Sequence, residues 1–308
     1  MESSYHDPVL CDEALGYLIT DETTVYVDGT VGGGGHAERI CTQLRGQGRL
    51  ICFDADEDAI RYSRKRLERF RDRVSFVHSN FRTIKTELGQ LGIDSIAGLL
   101  LDLGVSSFQL DEGTKGFSFR SDERLDMRLD RRQHMSAWHV VNTYDERALA
   151  DVIWRFGEER YSRRIAKRIV AARSIDTTGA LSAVVESTVG RKFLTKTLAR
   201  VFQALRIEVN AELNNLEQVL ADTLDLLVSG GRCVVISYHS LEDRIVKEFF
   251  RKESTNIIRS GEKYIADTMK PQRLKTLTKR PVKATSVEVS RNPRARSAKL
   301  RAAERLPG

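Results

Sequence analysis

The stretch VYVDGTVGGGGHAERI, residues 25–40, joins a short apolar run to an acid, four consecutive glycines, a histidine and a segment of helical composition. Glycine has no Cβ, so such a turn can bend tightly and aim free backbone N–H groups at a ligand where a helix begins. Residues 32–37 fit the G-x-G-x-x-[GA] dinucleotide pattern, although four glycines in a row satisfy it almost automatically. A strand-to-helix turn that holds no ligand is the plain alternative. The surroundings favour a ligand. Asp54 closes the second apolar run, 22 residues after Gly32. There an α/β nucleotide site places a carboxylate on a pair of ribose hydroxyls.

Working outward, four runs have the compact, β-branched look of buried parallel strands: residues 23–29, 48–56, 74–80 and 96–104. A fifth, 230–240, follows only after a long gap. Helical segments such as HAERICTQL and DEDAIRYSRKRLERF separate the first four, so the chain is predicted to form a doubly wound, mostly parallel α/β sheet. The gap, from about Asp111 to Asn214, reads as almost wholly helical. Thr143 with Glu146, and Thr178, stand where helices should begin, and Gly157 and Gly190 where they should stop. The expected division is therefore a core over 1–111 and 214–308, interrupted by an inserted helical domain over 112–213.

The rim of that sheet argues for a cationic ligand. Asp28, Asp54 and Asp102 all fall at the carboxyl ends of predicted strands, where open α/β sheets bind their ligands. Converging acids would repel a pyrophosphate and attract an ammonium or a sulfonium. S-adenosylmethionine fits better than NAD, although a nicotinamide-dependent oxidoreductase remains the rival enzyme. No Walker lysine follows the glycines, which argues against ATP hydrolysis. Tyr238, His239 and Ser240 fall on the same rim after the fifth strand; without a G-x-S-x-G elbow they do not make a hydrolase.

Composition bounds the rest. The chain has 308 residues, 41% hydrophobic and 30% charged, with a net charge of +7. No apolar run approaches the ~20 residues that span a bilayer. Four scattered cysteines without a CxxC suit a reducing compartment, so a cytoplasmic location is expected. Six scattered histidines show no ligand spacing, and no metal is expected. From residue 270 to 308 there are twelve basic and two acidic residues, which leaves the first 269 at net −3. A basic tail of this kind, with Arg160, Arg163, Arg164, Lys167 and Arg168 in the insert, suits an RNA backbone. Of the second group, 160, 164, 167 and 168 would share a helix face, unless they form a solvated face paired with Glu158 and Glu159. Trp138 and Tyr144 could stack a flipped base, with burial the commoner role. A non-catalytic RNA-binding assembly factor is the remaining alternative.

The runs HDPVL, VDGTVGGGGH, LLLDLGVSSFQLD, GFSFRSDERLDMR, IEVNAEL, ISYHSLEDR and NPRARSAKLRAAER, in order from His6 to Arg305, resemble the signatures of the MraW family. Phe108 stands where that family usually has proline. Its members are bacterial S-adenosylmethionine-dependent enzymes that methylate the N4 amine of a cytidine in 16S rRNA. The resemblance implies a Rossmann-like class I methyltransferase core and the small ribosomal subunit as partner, with a homodimer admissible. By position, it implies that Gly34, Gly35 and His36 hold the amino-acid end of the cofactor, Asp54 the ribose, and Phe81 the adenine. Asp102 and Gln109 would complete the pocket. Asp102 is also the expected acceptor that orients the target amine.

Overall fold

Apolar side chains alternate between two faces of one sheet, and that alternation organises most of the chain. The computed structural model describes residues 8–105, 115–258, 260 and 267–308. Strands β1 (Val25–Asp28), β2 (Arg49–Asp54), β3 (Val74–His78), β4 (Ile96–Asp102) and β5 (Leu227–Ser237) run parallel. A short antiparallel pair follows, β6 (Ile257–Ile258) and β7 (Thr268–Met269). Then β8 (Leu274–Thr276) and β9 (Lys299–Arg305) rejoin the main sheet, whose order is β3-β2-β1-β4-β5-β9-β8. Only β9 runs against its neighbours, antiparallel to both β5 and β8.

By contact density the chain divides into two units, Met1–Gly104 with Asn215–Gly308, and Val105–Asn214. In the first, helices α1 (Cys11–Leu18), α2 (Gly35–Gln43), α3 (Glu57–Arg66) and α4 (Ile84–Gln90) accompany the first four strands. Tyr26, Leu50, Cys52, Leu100, Val234 and Leu300 pack on one face of the sheet with α1 and α2. Their neighbours Val27, Ile51, Phe53, Leu99, Val235 and Ala303 pack on the other. Strands buried on both faces read as unbroken apolar runs, which is why the first four were visible in the sequence.

The second unit has its own core. Helices α5 (Ala137–Thr143), α6 (Glu146–Gly157), α7 (Ser162–Ala171), α8 (Thr178–Val189) and α9 (Leu194–Asn210) enclose buried residues such as Leu149, Ile153, Ile165, Leu181, Val201 and Leu205. Several expectations are corrected here. Residues 115–136 form no helix and are held by turns and by hydrogen bonds such as Met127 N–H to Lys115 O, 2.7 Å. Helix α6 is capped by Asp145, whose carboxylate accepts from the Ala148 N–H, not by Thr143, which ends α5. Helix α8 is capped by Thr177, while the buried Thr178 hydroxyl donates to Ser121 O. Arg160 lies in the turn before α7, off the expected face. Arg163, Arg164, Lys167 and Arg168 do share the exposed face of that helix. Glu159 is not their partner: buried, it pairs with Arg200 at 3.1 Å.

The chain then continues through α10 (Glu212–Leu226), broken from α9 by Ala211 at φ 49°, and α11 (Ser240–Glu253) and α12 (Ser286–Arg291) complete the first unit. The basic C-terminal segment is not a free tail. Its last strand, β9, lies between β5 and β8, with Leu300, Ala302 and Ala303 fully buried. Arg301 is 7% exposed and pairs with Asp243 at 2.7 Å, and Lys299 reaches the same carboxylate at 3.0 Å. Arg273 and Lys270 both pair with Glu253. The reading as a tail failed because KLRAAER has no apolar run, and its charges are neutralised by acids on a helix distant in sequence. Lys275, Lys279, Arg280, Lys283, Arg291 and Arg296 stay exposed.

Among the described residues no helix is long and apolar enough to cross a membrane. Cys41, Cys52 and Cys233 are buried free thiols and Cys11 is partly exposed. A chain ended after Ala298 lacks β9 and should lose its cooperative thermal transition, followed by circular dichroism. A melting curve like that of the full chain would show the segment to be a dispensable appendage.

Candidate active site

Strand β1 ends at Asp28, and the chain then turns through Gly29 to Gly34 before α2 begins. A side chain at Gly29 would place its Cβ 2.5 Å from Leu101 Cδ2, so the buried Leu101 side chain would have to shift to admit one. Gly32 and Gly34 sit at φ 48° and 74°, conformations in which an L side chain is strained. The turn is fixed by Val31 N–H to Phe53 O at 2.8 Å and by Gly34 N–H to Val31 O at 2.7 Å. Its outer side is closed by Pro8, which a Cβ at Gly35 would approach to 3.1 Å.

Asp54, at the end of β2, accepts from the Gly32 N–H and the Asp56 N–H, each at 2.9 Å. It ties the glycine turn to the neighbouring strand, which the spacing argument did not foresee. Phe81 opens a short 3-10 turn after β3, capped by Asn80, and its partly buried ring packs on the sheet core. Gln109 lies outside the described residues.

The two remaining acids define the electrostatics. Asp28 is 1% exposed and accepts the Thr30 N–H at 3.1 Å. Burial pushes its carboxyl up to about 7, against the opposing pull of His36 and that N–H. Asp102, at the end of β4, is 24% exposed. Its N–H donates to Thr30 Oγ1 at 2.7 Å, and its Oδ1 accepts from the Tyr238 hydroxyl at 2.8 Å. Burial likewise pushes Asp102 up to about 7, despite the Tyr238 hydrogen bond. His36 is 6% exposed; its Nε2 bonds Val9 O at 3.0 Å and its Nδ1 lies 3.6 Å from Asp102 Oδ2. Burial lowers the pKa of His36.

Among the described residues no lysine or arginine pairs with Asp28 or Asp102. One buried and one partly buried carboxyl, with no lysine or arginine pairing among the described residues and beside a tight glycine turn, fit a ligand that brings its own positive charge. An anionic pyrophosphate does not fit. The structure therefore brings Gly34, Gly35, His36, Asp54 and Asp102 to one rim, with Phe81 at the end of the adjacent strand. Sequence reasoning missed the support: Thr30, which links the turn to Asp102, and the Val9 carbonyl. Tyr238 was placed on this rim without its partner. His239 is an N-cap, its ring and Glu242 closing a capping box at the start of α11, so the Ser–His hydrolase reading has no geometry behind it.

A sheet of this order, with a glycine turn after its first strand and acids ending its first, second and fourth, defines a class I S-adenosylmethionine-dependent methyltransferase. The chain belongs to the MraW methylase family, whose profile matches residues 3–306. It is 47% identical over 312 residues to the ribosomal RNA small subunit methyltransferase H of Geobacter sp. (strain M21), covering 99% of this chain and 100% of that one. The protein of that name from Finegoldia magna is 42% identical over 308 residues, covering 98% of each. A solved putative rRNA-methylase from Clostridium thermocellum superposes with a TM-score of 0.45 at 14% identity, covering 96% of this chain and 94% of that one.

Because Asp28 ionises near 7 in the fold and at the ordinary 3.8 when unfolded, it favours folding below 3.8 and loses that contribution as pH rises through 7. At about 1.4 kcal/mol per pH unit, the ceiling is on the order of 4 kcal/mol. Asp28→Asn keeps the acceptor for Thr30 and removes the ionisation. Its Tm should exceed that of the wild type at pH 8, with the gap shrinking towards pH 5. Thermal unfolding across that range checks this, and a pH-independent difference would contradict it.

Proposed function

We propose that the chain transfers a methyl group from S-adenosylmethionine to the N4 exocyclic amine of a cytidine in the 16S RNA of the small ribosomal subunit. The observation that carries the transfer is the pair of carboxyls beside the glycine turn, Asp28 buried and Asp102 partly buried, with no lysine or arginine partner among the described residues. The RNA substrate and the choice of N4 are supported by family membership and by the shared name of the relatives.

When bound, the cofactor supplies an electrophilic methyl carbon on a sulfonium. Gly34 and Gly35, as the bare backbone at the start of α2, would hold its amino-acid end together with His36. Asp54 would take the ribose hydroxyls, Phe81 would lie against the adenine, and Asp102 and Gln109 would complete the pocket. Tyr238 fixes one oxygen of Asp102, and the other is left to accept an N–H of the target amine. The cytosine amine is a weak nucleophile because its lone pair is delocalised into the ring. Asp102 would orient that lone pair and receive the proton that the amine must lose. Holding the reacting atoms at about 3–3.5 Å supplies much of the acceleration without a strong base.

The unit 105–214 would recognise the RNA, using the exposed face of α7 with Arg163, Arg164, Lys167 and Arg168. In the first unit, the exposed stretch from Lys275 to Arg296 would hold phosphates in the same way. Such contacts add affinity that falls with salt. The expected setting is the cytoplasm, where the substrate particle resides, and a homodimer is compatible with this reading.

The test is transfer of labelled methyl to undermodified small-subunit particles, with nucleosides read by mass spectrometry. The wild type should yield N4-methylated cytidine, and Asp102→Asn should lower kcat by about 10²-fold or more. Another modified nucleoside would overturn the substrate. An Asp102→Asn enzyme with unchanged kcat and only weaker cofactor binding would overturn the orienting role.

A further inference from the structure

The Asp102 carboxyl has two oxygens with two different partners, and the partner of the second is a histidine ring whose tautomer the fold dictates. The Val9 carbonyl can only accept a hydrogen bond, so the His36 Nε2 that lies 3.0 Å from it must carry a hydrogen. In the neutral ring Nδ1 is then an unprotonated acceptor. That lone pair lies 3.6 Å from Asp102 Oδ2, just beyond hydrogen-bond length, and a small rotation of the carboxyl closes the gap. The Tyr238 hydroxyl, donating at 2.8 Å to Oδ1, holds the carboxyl so that Oδ2 is the oxygen turned to the ring. Val9 is itself anchored: the next residue, Leu10, donates its N–H to Glu288 Oε1 at 2.7 Å. Ring and carboxyl are thus both held from behind, face to face.

We propose that His36 is a positioning residue that shares one proton with Asp102, drawing the proton released by the reaction off the carboxyl and restoring it as an acceptor. As the amine nitrogen forms its bond to carbon, it gives up a proton to the Asp102 carboxylate, and the electrons of the broken N–H bond stay on nitrogen. The O–H so formed then breaks as Nδ1–H forms, leaving a carboxylate beside an imidazolium. Between turnovers the proton leaves the pair to solvent through Asp102, its more exposed member. Other charged groups bear on this exchange. Asp28 from β1 and Glu288 from α12 favour the imidazolium, while Glu242 and the Tyr238 hydroxyl face Asp102 from the segment after β5 and the start of α11, and Cys11 faces it from α1. Burial works against charge on both Asp102 and His36, which suits a pair that holds one proton jointly.

The source of the proton follows from the transfer proposed above, whereas the tautomer does not, so the two fail separately. Nitrogen-15 NMR of the labelled chain without cofactor, with His36 assigned by through-bond correlation of its ring to its own backbone, should show at pH 8 an Nε2–H tautomer with Nδ1 bare. In Asp102→Asn the titration midpoint of His36 should move by about half a pH unit or more. An Nδ1–H tautomer, or a midpoint unmoved by that substitution, overturns the proposal. In turnover, His36→Asn should lower kcat at least tenfold and displace the acidic limb of the pH–kcat profile, beyond any change in cofactor affinity. A loss equal at every pH would reduce His36 to packing. If that variant fails to fold, the NMR measurement on Asp102→Asn still decides.

Discussion

Two carboxyl groups, the buried Asp28 and the partly buried Asp102, end adjacent parallel strands, and among the described residues no lysine or arginine pairs with either of them. Placing a carboxylate out of water is costly unless a positive charge or several hydrogen bonds compensate. Asp28 has one N–H, from Thr30, and Asp102 has the Tyr238 hydroxyl. Neither is compensated in full, and each ionises only near 7. The fold keeps both, and the missing charge is the one a sulfonium or ammonium ligand supplies. Perturbed acids of this kind mark functional sites more often than structural ones.

The rest of the first unit serves that arrangement. Parallel pairing of β1 with β4, with Asp28 opposite Leu100, brings the two acids to the same edge of the sheet, and the turn packs closely against the Leu101 side chain near the end of β4. Thr30 joins the turn to Asp102 through the backbone, and Asp54 joins it to β2. Pro8 lies against the turn at Gly35, and the Val9 carbonyl holds the ring of His36. A cofactor entering this site meets dipoles already oriented, and preorganisation of that kind costs nothing at the moment of reaction.

The parallel strands and the acids at their ends were legible in the sequence for one reason: strands covered on both faces are written as unbroken apolar runs. Asp28, Asp54 and Asp102 were visible because each interrupts such a run at its carboxyl end. β9 was hidden because its buried arginine is paired with Asp243 on α11, a contact between residues 58 positions apart that no local pattern encodes. Helix starts were misread by one or two residues where two candidate caps lay close together, Thr143 against Asp145 and Thr177 against Thr178. His36 was named only through family likeness, and its ring partner is a carbonyl 27 residues earlier that no local pattern reveals. Family likeness supplied the names of the cofactor-facing residues, but not the supports behind them.

If buried acids are held for a cationic donor, binding must shift their ionisation. Calorimetric titration of the purified chain with S-adenosylmethionine, in buffers of different ionisation enthalpy at pH 6, 7 and 8, measures this directly. Affinity should rise with pH across that range, with release of a fraction of a proton up to about two, greatest where the carboxyls start protonated. Binding without proton release and with the same affinity at all three pH values, or no binding at all, would contradict the account.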